Sequence, residues 1–140
     1  MIRKIEAEDY PRLSEIWESA VSATHDFLKH EDFLYYKNNL STYFKYVNLF
    51  GFEDGGVLTG FVGVADGNIE MLFVDAVSRG KGVGRRLVSY AIDNLQAATV
   101  DVNEQNTQAV GFYEHVGFKV SKRSDLDAEG KPYPILHMDL

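Results

Sequence analysis

Apolar residues recur along this chain in two distinct periods, and the changes between them mark out the elements. Ile2 to Ile5 reads as a short strand. Leu13, Ile16, Trp17, Ala20 and Val21 then return every three to four residues, the spacing of one helical face, and Pro11 suits a first turn. This first helix is expected to run to about Ala23. A second helical stretch, Asp32 to about Tyr46, places Phe33, Tyr36, Leu40, Tyr43, Phe44 and Val47 on one broad face, although its crowded aromatics are only modest helix formers.

From Asn48 the period falls towards two. Asn48 to Glu53, Val57 to Asp66 and Ile69 to Asp75 are β-rich runs separated by Asp54-Gly55-Gly56 and Gly67-Asn68, which predicts an antiparallel meander. Helical spacing returns over Gly82 to Leu95, with Val83, Leu87, Val88, Ala91, Ile92 and Leu95 as its apolar stripe. Ala98 to Val102 reads as a short buried strand. Asn106 is placed to cap a helix from about Thr107 to His115 that stops near Gly117. Phe118 to Arg123 and Ile135 to Leu140 form a last pair of strands, joined through the turn-rich stretch Asp127 to Pro132. No repeat, linker or low-complexity segment interrupts the pattern, so residues 1–140 read as one domain.

Composition narrows the function classes. A chain of 140 residues, 45% hydrophobic and 13% aromatic, can build one packed core. No apolar run approaches the roughly 20 residues needed to cross a bilayer, and the first residues lead into polar sequence, so a soluble cytoplasmic protein without a membrane partner is expected. The absence of cysteine excludes a disulfide framework, a thiol nucleophile and a thiolate metal site. The histidines at 25, 30, 115 and 137 show no helical ligand spacing, and no metal is expected. A net charge of -7 opposes nucleic-acid binding, apart from one basic patch formed by Arg79, Lys81, Arg85 and Arg86.

That patch coincides with the chain's densest glycine pattern. The strand ending at Asp75 feeds Arg79-Gly80-Lys81-Gly82-Val83-Gly84-Arg85-Arg86, which opens a helix. The unpaired N–H groups at a helix start, with the helix dipole behind them, make an anion site, and glycines let the backbone approach a phosphate. The plainer reading is a glycine-rich turn with a solvated basic rim. A Walker A loop would need Gly-x-x-x-x-Gly-Lys-Ser/Thr, which is absent, and a dinucleotide fold would need the pattern after the first strand. Asp101 lies near the dinucleotide spacing, but the preceding meander is the wrong topology.

In these residues the sequence resembles the GNAT (Gcn5-related N-acetyltransferase) superfamily. Arg79-Gly80-Lys81-Gly82-Val83-Gly84 matches its signature Gln/Arg-x-x-Gly-x-Gly/Ala, and the run from Asn106 to Phe118 looks like its Asn-x-x-Ala-x-x-Phe-Tyr-x-x-x-Gly-Phe block. Ala23-Thr24-His25-Asp26-Phe27-Leu28, Asn103-Glu104-Gln105-Asn106 and Gly130-Lys131-Pro132-Tyr133-Pro134 further look like the YjaB-type branch of bacterial acetyltransferases. One departure is Ala76, where the family often carries proline. The resemblance covers nearly the whole chain. It implies an α/β (α+β) acyl-CoA N-acyltransferase fold, with a central mixed, mostly antiparallel twisted sheet of six or seven strands flanked by about four helices. It also implies acetyl-coenzyme A (acetyl-CoA) as the donor, with direct transfer to an amine and no covalent enzyme intermediate.

The resemblance assigns roles residue by residue. Leu72, Phe73 and Val74 are implied to lie on a strand splayed from its neighbour, offering backbone groups to the pantetheine arm, with the Val74 N–H polarising the thioester. Arg79, Gly80, Lys81, Gly82, Val83, Gly84 and Arg85 are implied to hold the pyrophosphate, and Asn106 to bond pantetheine as well as cap its helix. Tyr113 is implied to return a proton to the departing thiolate; from its residue type alone it is one more half-buried aromatic.

An acceptor ammonium must lose a proton before it attacks, so a base is required. Glu70, Asp101 and His25 are the candidates. Alternation places Glu70 on one face with Leu72 and Val74. Asp101 stands where some family members carry a catalytic glutamate. His25 follows the first helix, in a region that lines the acceptor site in the family. The plainer alternatives are salt-bridged carboxylates and a helix-end histidine. Trp17 and the aromatics from Phe33 to Tyr46 are read chiefly as core, and secondarily as a pocket wall or dimer surface. The acidic residues Glu70, Asp101 and Glu104 favour a cationic acceptor, expected to be a small amine, and the chain a monomer or homodimer. The rival readings are a non-catalytic acyl-CoA sensor on the same fold and a nucleotide-binding regulatory domain.

Overall fold

A computed structural model describes all 140 residues. Its strands β1 (Ile2–Lys4), β2 (Asn48–Asp54), β3 (Val57–Ala65), β4 (Asn68–Val74), β5 (Thr99–Asn103), β6 (Lys119–Ser124) and β7 (Ile135–Asp139) form one sheet in the order β1-β2-β3-β4-β5-β7-β6. The helices are α1 (Tyr10–Thr24), α2 (His30–Phe44), α3 (Val83–Asn94) and α4 (Thr107–Val116). Most elements fall within two residues of the sequence expectation. Helix α2 is displaced as a whole towards the N-terminus: Lys29 is its extended N-cap, and Asp32 sits inside the first turn.

The two faces of the sheet carry separate cores. Val62 and Val64 on β3 pack with Leu87 and Val88 of α3, whereas Phe61, next to Val62, packs on the other face with Leu13 and Ile16 of α1 and Leu40 and Phe44 of α2. Period-two alternation along β3 therefore sorts the helices into two layers. Gly60 lets α3 start close to the sheet: a Cβ there would lie 2.9 Å from Val83 Cγ1 and 3.1 Å from the Phe73 carbonyl oxygen.

Every strand pair is antiparallel except β4 and β5, which run parallel and pair only at Asn68↔Thr99 and Ile69↔Val100. Beyond Ile69 the two strands part and leave a V-shaped gap in the middle of the sheet. At that level β4 also carries a bulge, since Gly63 pairs with Met71 and Val64 with Ile69, leaving Glu70 as the extra residue. The bulge resets the alternation and corrects the expected face of Glu70. Leu72 and Val74 pack towards the α3 core, while Met71 and Phe73 pack towards the α1/α2 core and line the same groove as Glu70.

Candidate active site

Two cavities flank the gap. The smaller, about 340 Å³, lies between the parted strands and the start of α3, and takes its lining from β4, the glycine loop and α4. Of the residues expected around a cofactor, all but Lys81, which points outward, line it. Gly80 and Gly82 adopt φ of +78° and +82°, a conformation few side chains tolerate. Helix α3 has no side-chain cap, and its first backbone bond runs from the Arg86 N–H to the Gly82 carbonyl, so the N–H groups of Val83, Gly84 and Arg85 stay free of helical partners. With the Arg79 and Arg85 side chains beside them, these groups fit a phosphate-bearing ligand. The Asp75 N–H donates to Thr59 on β3. By alternation the backbone groups of Leu72 and Val74 point the other way, into the gap.

The turn after β4 is fixed without the proline common in the family. The Ala76 N–H donates to Ser19 Oγ at 3.0 Å, Ser19 Oγ donates to Asp75 at 2.9 Å, and Arg12 holds the other Asp75 oxygen at 2.9 Å. A proline at 76 would remove the first of these donors. The glycine loop is thus tied to α1 through side chains.

Across the cavity, Asn106 caps α4 by accepting from the Ala109 N–H at 3.3 Å. Tyr113, one turn further on, is 5% exposed, its ring packed edge-on against Phe112 and Phe118 with centroids 5.2 and 5.7 Å away. Burial raises its phenol above the usual tyrosine range, so the hydroxyl keeps its proton and is available as a donor.

The larger cavity, a groove of about 560 Å³, lies on the α1/α2 side of the sheet. His25 and Phe73 line both cavities and mark where they meet. The groove contains four carboxylates, Glu70, Asp101, Asp127 and Glu129, and no lysine or arginine. Burial raises the Glu70 carboxyl above the usual range, with the negative charge of Asp101 adding to the effect. Tyr36, Tyr43 and Tyr46 wall the groove, so these tyrosines of the second helical stretch are not core; of its expected apolar face only Leu40 and Phe44 are fully buried.

His25 is the C-cap of α1, as its alternative reading had it. Its Nδ1 lies 2.7 Å from Thr24 Oγ1, which donates to the Ala20 carbonyl at 2.8 Å, and its Nε2 lies 3.3 Å from Asn103 Nδ2. This network assigns the proton to Nδ1 and makes Nε2 an acceptor. Burial lowers the imidazole to about 4, so the ring is neutral at physiological pH and its lone pair is already engaged.

The structure also brings together residues that the sequence did not single out. His137 Nδ1 lies 2.6 Å from Asp101, and its Nε2 lies 2.7 Å from Ser124 Oγ. Asn68 Nδ2 holds the second Asp101 oxygen at 3.2 Å and is itself fixed by Thr99 at 2.6 Å. The connection between β6 and β7 forms the outer wall. Asp127 accepts from Tyr36, Glu129 accepts from Tyr35 and Tyr43 at 3.1 Å each, and Asp32 takes both the Tyr133 hydroxyl and Lys131. No group of three or more His, Asp or Glu side chains is placed to hold a metal ion, and no helix is long and apolar enough to cross a membrane.

Residues 18–138 match the acetyltransferase (GNAT) domain family. The chain is 39% identical over 138 residues to the peptidyl-lysine N-acetyltransferase YjaB of Salmonella typhimurium, covering 98% of this chain and 95% of that one. The solution structure of apo YjaB from Escherichia coli superposes with a TM-score of 0.85 at 40% identity, over 99% of this chain and 95% of that one. The PaiA N-acetyltransferase of Thermoplasma acidophilum, solved with coenzyme A, shares the fold with a TM-score of 0.72 at 20% identity, over 100% of this chain and 98% of that one. A glycine loop before α3, a sheet parted between β4 and β5, and a sequence match along nearly its whole length together place this chain in the GNAT family, as an acetyl-CoA-dependent N-acetyltransferase.

Proposed function

We propose that this acetyltransferase moves the acetyl group directly to the Nε of a lysine side chain in a polypeptide. The observation that carries this reading is the groove: four carboxylates, aromatic walls and no opposing cation, opening onto the gap at Phe73 and His25. A lysine presents a cationic head on an apolar stem, which suits such a lining. The relatives named peptidyl-lysine N-acetyltransferases support the same acceptor.

In this reading the free N–H groups at the start of α3, with Arg79 and Arg85, hold the pyrophosphate of acetyl-CoA, and Lys81 adds charge at the rim. The backbone of Leu72 and Val74 pairs with the pantetheine arm in place of the missing β5 partner, Phe73 forms the wall at the junction, and Asn106 adds a hydrogen bond. The Val74 N–H polarises the thioester carbonyl, an interaction of about 2.7–4 kcal/mol in a transition state. Glu70 and Asp101 draw the ammonium inward, and the amine attacks the carbonyl carbon. The carbon–sulfur bond then breaks, and the Tyr113 hydroxyl supplies the proton the thiolate needs. His25 acts as a neutral positioning group at the junction, because its lone pair is already bonded to Asn103.

A free small amine is the second reading, favoured by the β6–β7 connection, whose ties to α2 wall the groove on its outer side. Incubation with acetyl-CoA and either lysine-containing peptides or free diamines, followed by mass spectrometry, separates the two. Acetyl-lysine in the peptides supports the first reading. Modification of the free amines alone overturns it in favour of the second.

A further inference from the structure

We propose that Ser124, His137 and Asp101 form a proton relay that accepts the proton the acceptor ammonium must lose before it attacks. The inference rests on the amine-acetyltransferase reading above and adds residues to it. All three side chains line the acceptor groove, on strands β5, β6 and β7. Asp101 and His137 are cross-strand partners, and a bulge on β6 between Val120 and Lys122, tied by Ser121 Oγ to the His137 carbonyl at 3.1 Å, sets the register that leaves Ser124 diagonal to the imidazole.

The hydrogen bonds fix one polarity. Asp101 can only accept, so His137 Nδ1 carries its proton towards Asp101 and Nε2 accepts from the Ser124 hydroxyl. Asn68, held by Thr99, donates to the other Asp101 oxygen and keeps the carboxylate in place. This order of hydroxyl, imidazole and carboxylate, with each step within hydrogen-bond reach, is the arrangement by which a base is oriented and its charged form balanced.

The step balances. The ammonium gives a proton to Ser124 Oγ as Ser124 passes its own to His137 Nε2, which leaves a neutral amine and an imidazolium beside the Asp101 carboxylate. The proton then leaves to solvent through the groove. The alternatives are weaker on their geometry and chemistry. The lone pair of His25 is occupied by Asn103, and Glu70 is hydrogen-bonded to Asn68, with no imidazole in line to take the proton onward.

The test uses the full chain with acetyl-CoA and, in parallel, a lysine peptide and a free diamine. The variants are His137→Ala, His137→Gln as a shape-keeping control, and Ser124→Ala, each checked for folding by circular dichroism and for acetyl-CoA affinity. The expected result is a fall in kcat of about a hundredfold or more for both His137 variants with acetyl-CoA affinity unchanged, a smaller loss for Ser124→Ala, and recovery of His137→Ala on adding free imidazole. Variants within about threefold of wild type, or a loss that imidazole does not restore, overturn the relay. Turnover of the diamine but not the peptide overturns only the lysine acceptor, because the relay is still read on the diamine. A chain that acetylates neither amine overturns both.

Discussion

Replacing Tyr113 by phenylalanine removes one hydroxyl and almost nothing else, which makes it the cleanest test of the donor side of the site. The ring is 5% exposed and its contacts with Phe112 and Phe118 use the carbon framework that phenylalanine keeps. Burial is the sole cause of its raised pKa, so no protein hydrogen bond is lost. Stability at neutral pH should therefore change by no more than about 0.5 kcal/mol, since neither a cavity nor an orphaned partner is created. Catalysis should behave differently. Loss of a general acid lowers a rate by about 10² to 10⁴, or roughly 2.7 to 5.5 kcal/mol of barrier. Steady-state kinetics with thiol release as the readout, beside thermal unfolding of both proteins, measures the two numbers on one preparation. A kcat within threefold of wild type would remove Tyr113 from the mechanism. A large loss of stability would show that its hydroxyl is structural.

Three further outcomes follow from named geometry. At Gly82 an added Cβ meets nothing within 4 Å, so Gly82→Ala should cost only the left-handed backbone penalty of about 1–2 kcal/mol and keep acetyl-CoA binding, whereas Gly82→Asp should abolish it; equal losses in a calorimetric titration would mean that conformation, not charge, is at work. The Glu70 carboxyl is raised in the fold, so its contribution is fully favourable below the unfolded value and is lost as pH rises through the folded one. Glu70→Gln should therefore melt higher than wild type at pH 7 and level with it near pH 4, and a lower melting temperature at pH 7 would refute the burial cause. His25 has the opposite sign. Its pKa falls from 6.5 to about 4, so its contribution is present above pH 6.5 and fades as pH drops, by at most about 3 kcal/mol at pH 4. Denaturant titrations of His25→Gln should show a shallower acid loss than wild type, and parallel curves would sink the assignment.

How much of this was legible in the sequence depended on the range of the forces involved. The strands, helices and glycine loop are local products of apolar period and turn chemistry, and their expected bounds fall close to those observed. The Asn106 cap is equally local, a side chain meeting an N–H three residues ahead. His137 was unreadable as a site residue because its meaning lies in Asp101, 36 residues away, and only the antiparallel pairing of β5 with β7 puts the two opposite each other. The tyrosines of α2 misled for a related reason. Their spacing is that of a buried face, but Tyr36 and Tyr43 reach Asp127 and Glu129 on a connection that hydrophobic pattern does not describe.

The misplaced face of Glu70 shows how chemistry can override period. Strict alternation would point this carboxylate with Leu72 and Val74 into the α3 core, towards Leu87 and Val88. Burying an unpaired carboxylate there would cost several kcal/mol even after it took up a proton, whereas a bulge forfeits about one ladder hydrogen bond, worth roughly 1 kcal/mol. The smaller cost wins, and the strand bulges at Glu70. The bulge falls at the level where β5 departs, so one short strand serves two cavities. Its backbone at Leu72 and Val74 faces the gap, and its side chains at Glu70, Met71 and Phe73 face the groove. A donor held by main chain and an acceptor held by side chains can then meet across a single strand, without either set of contacts competing for the same atoms.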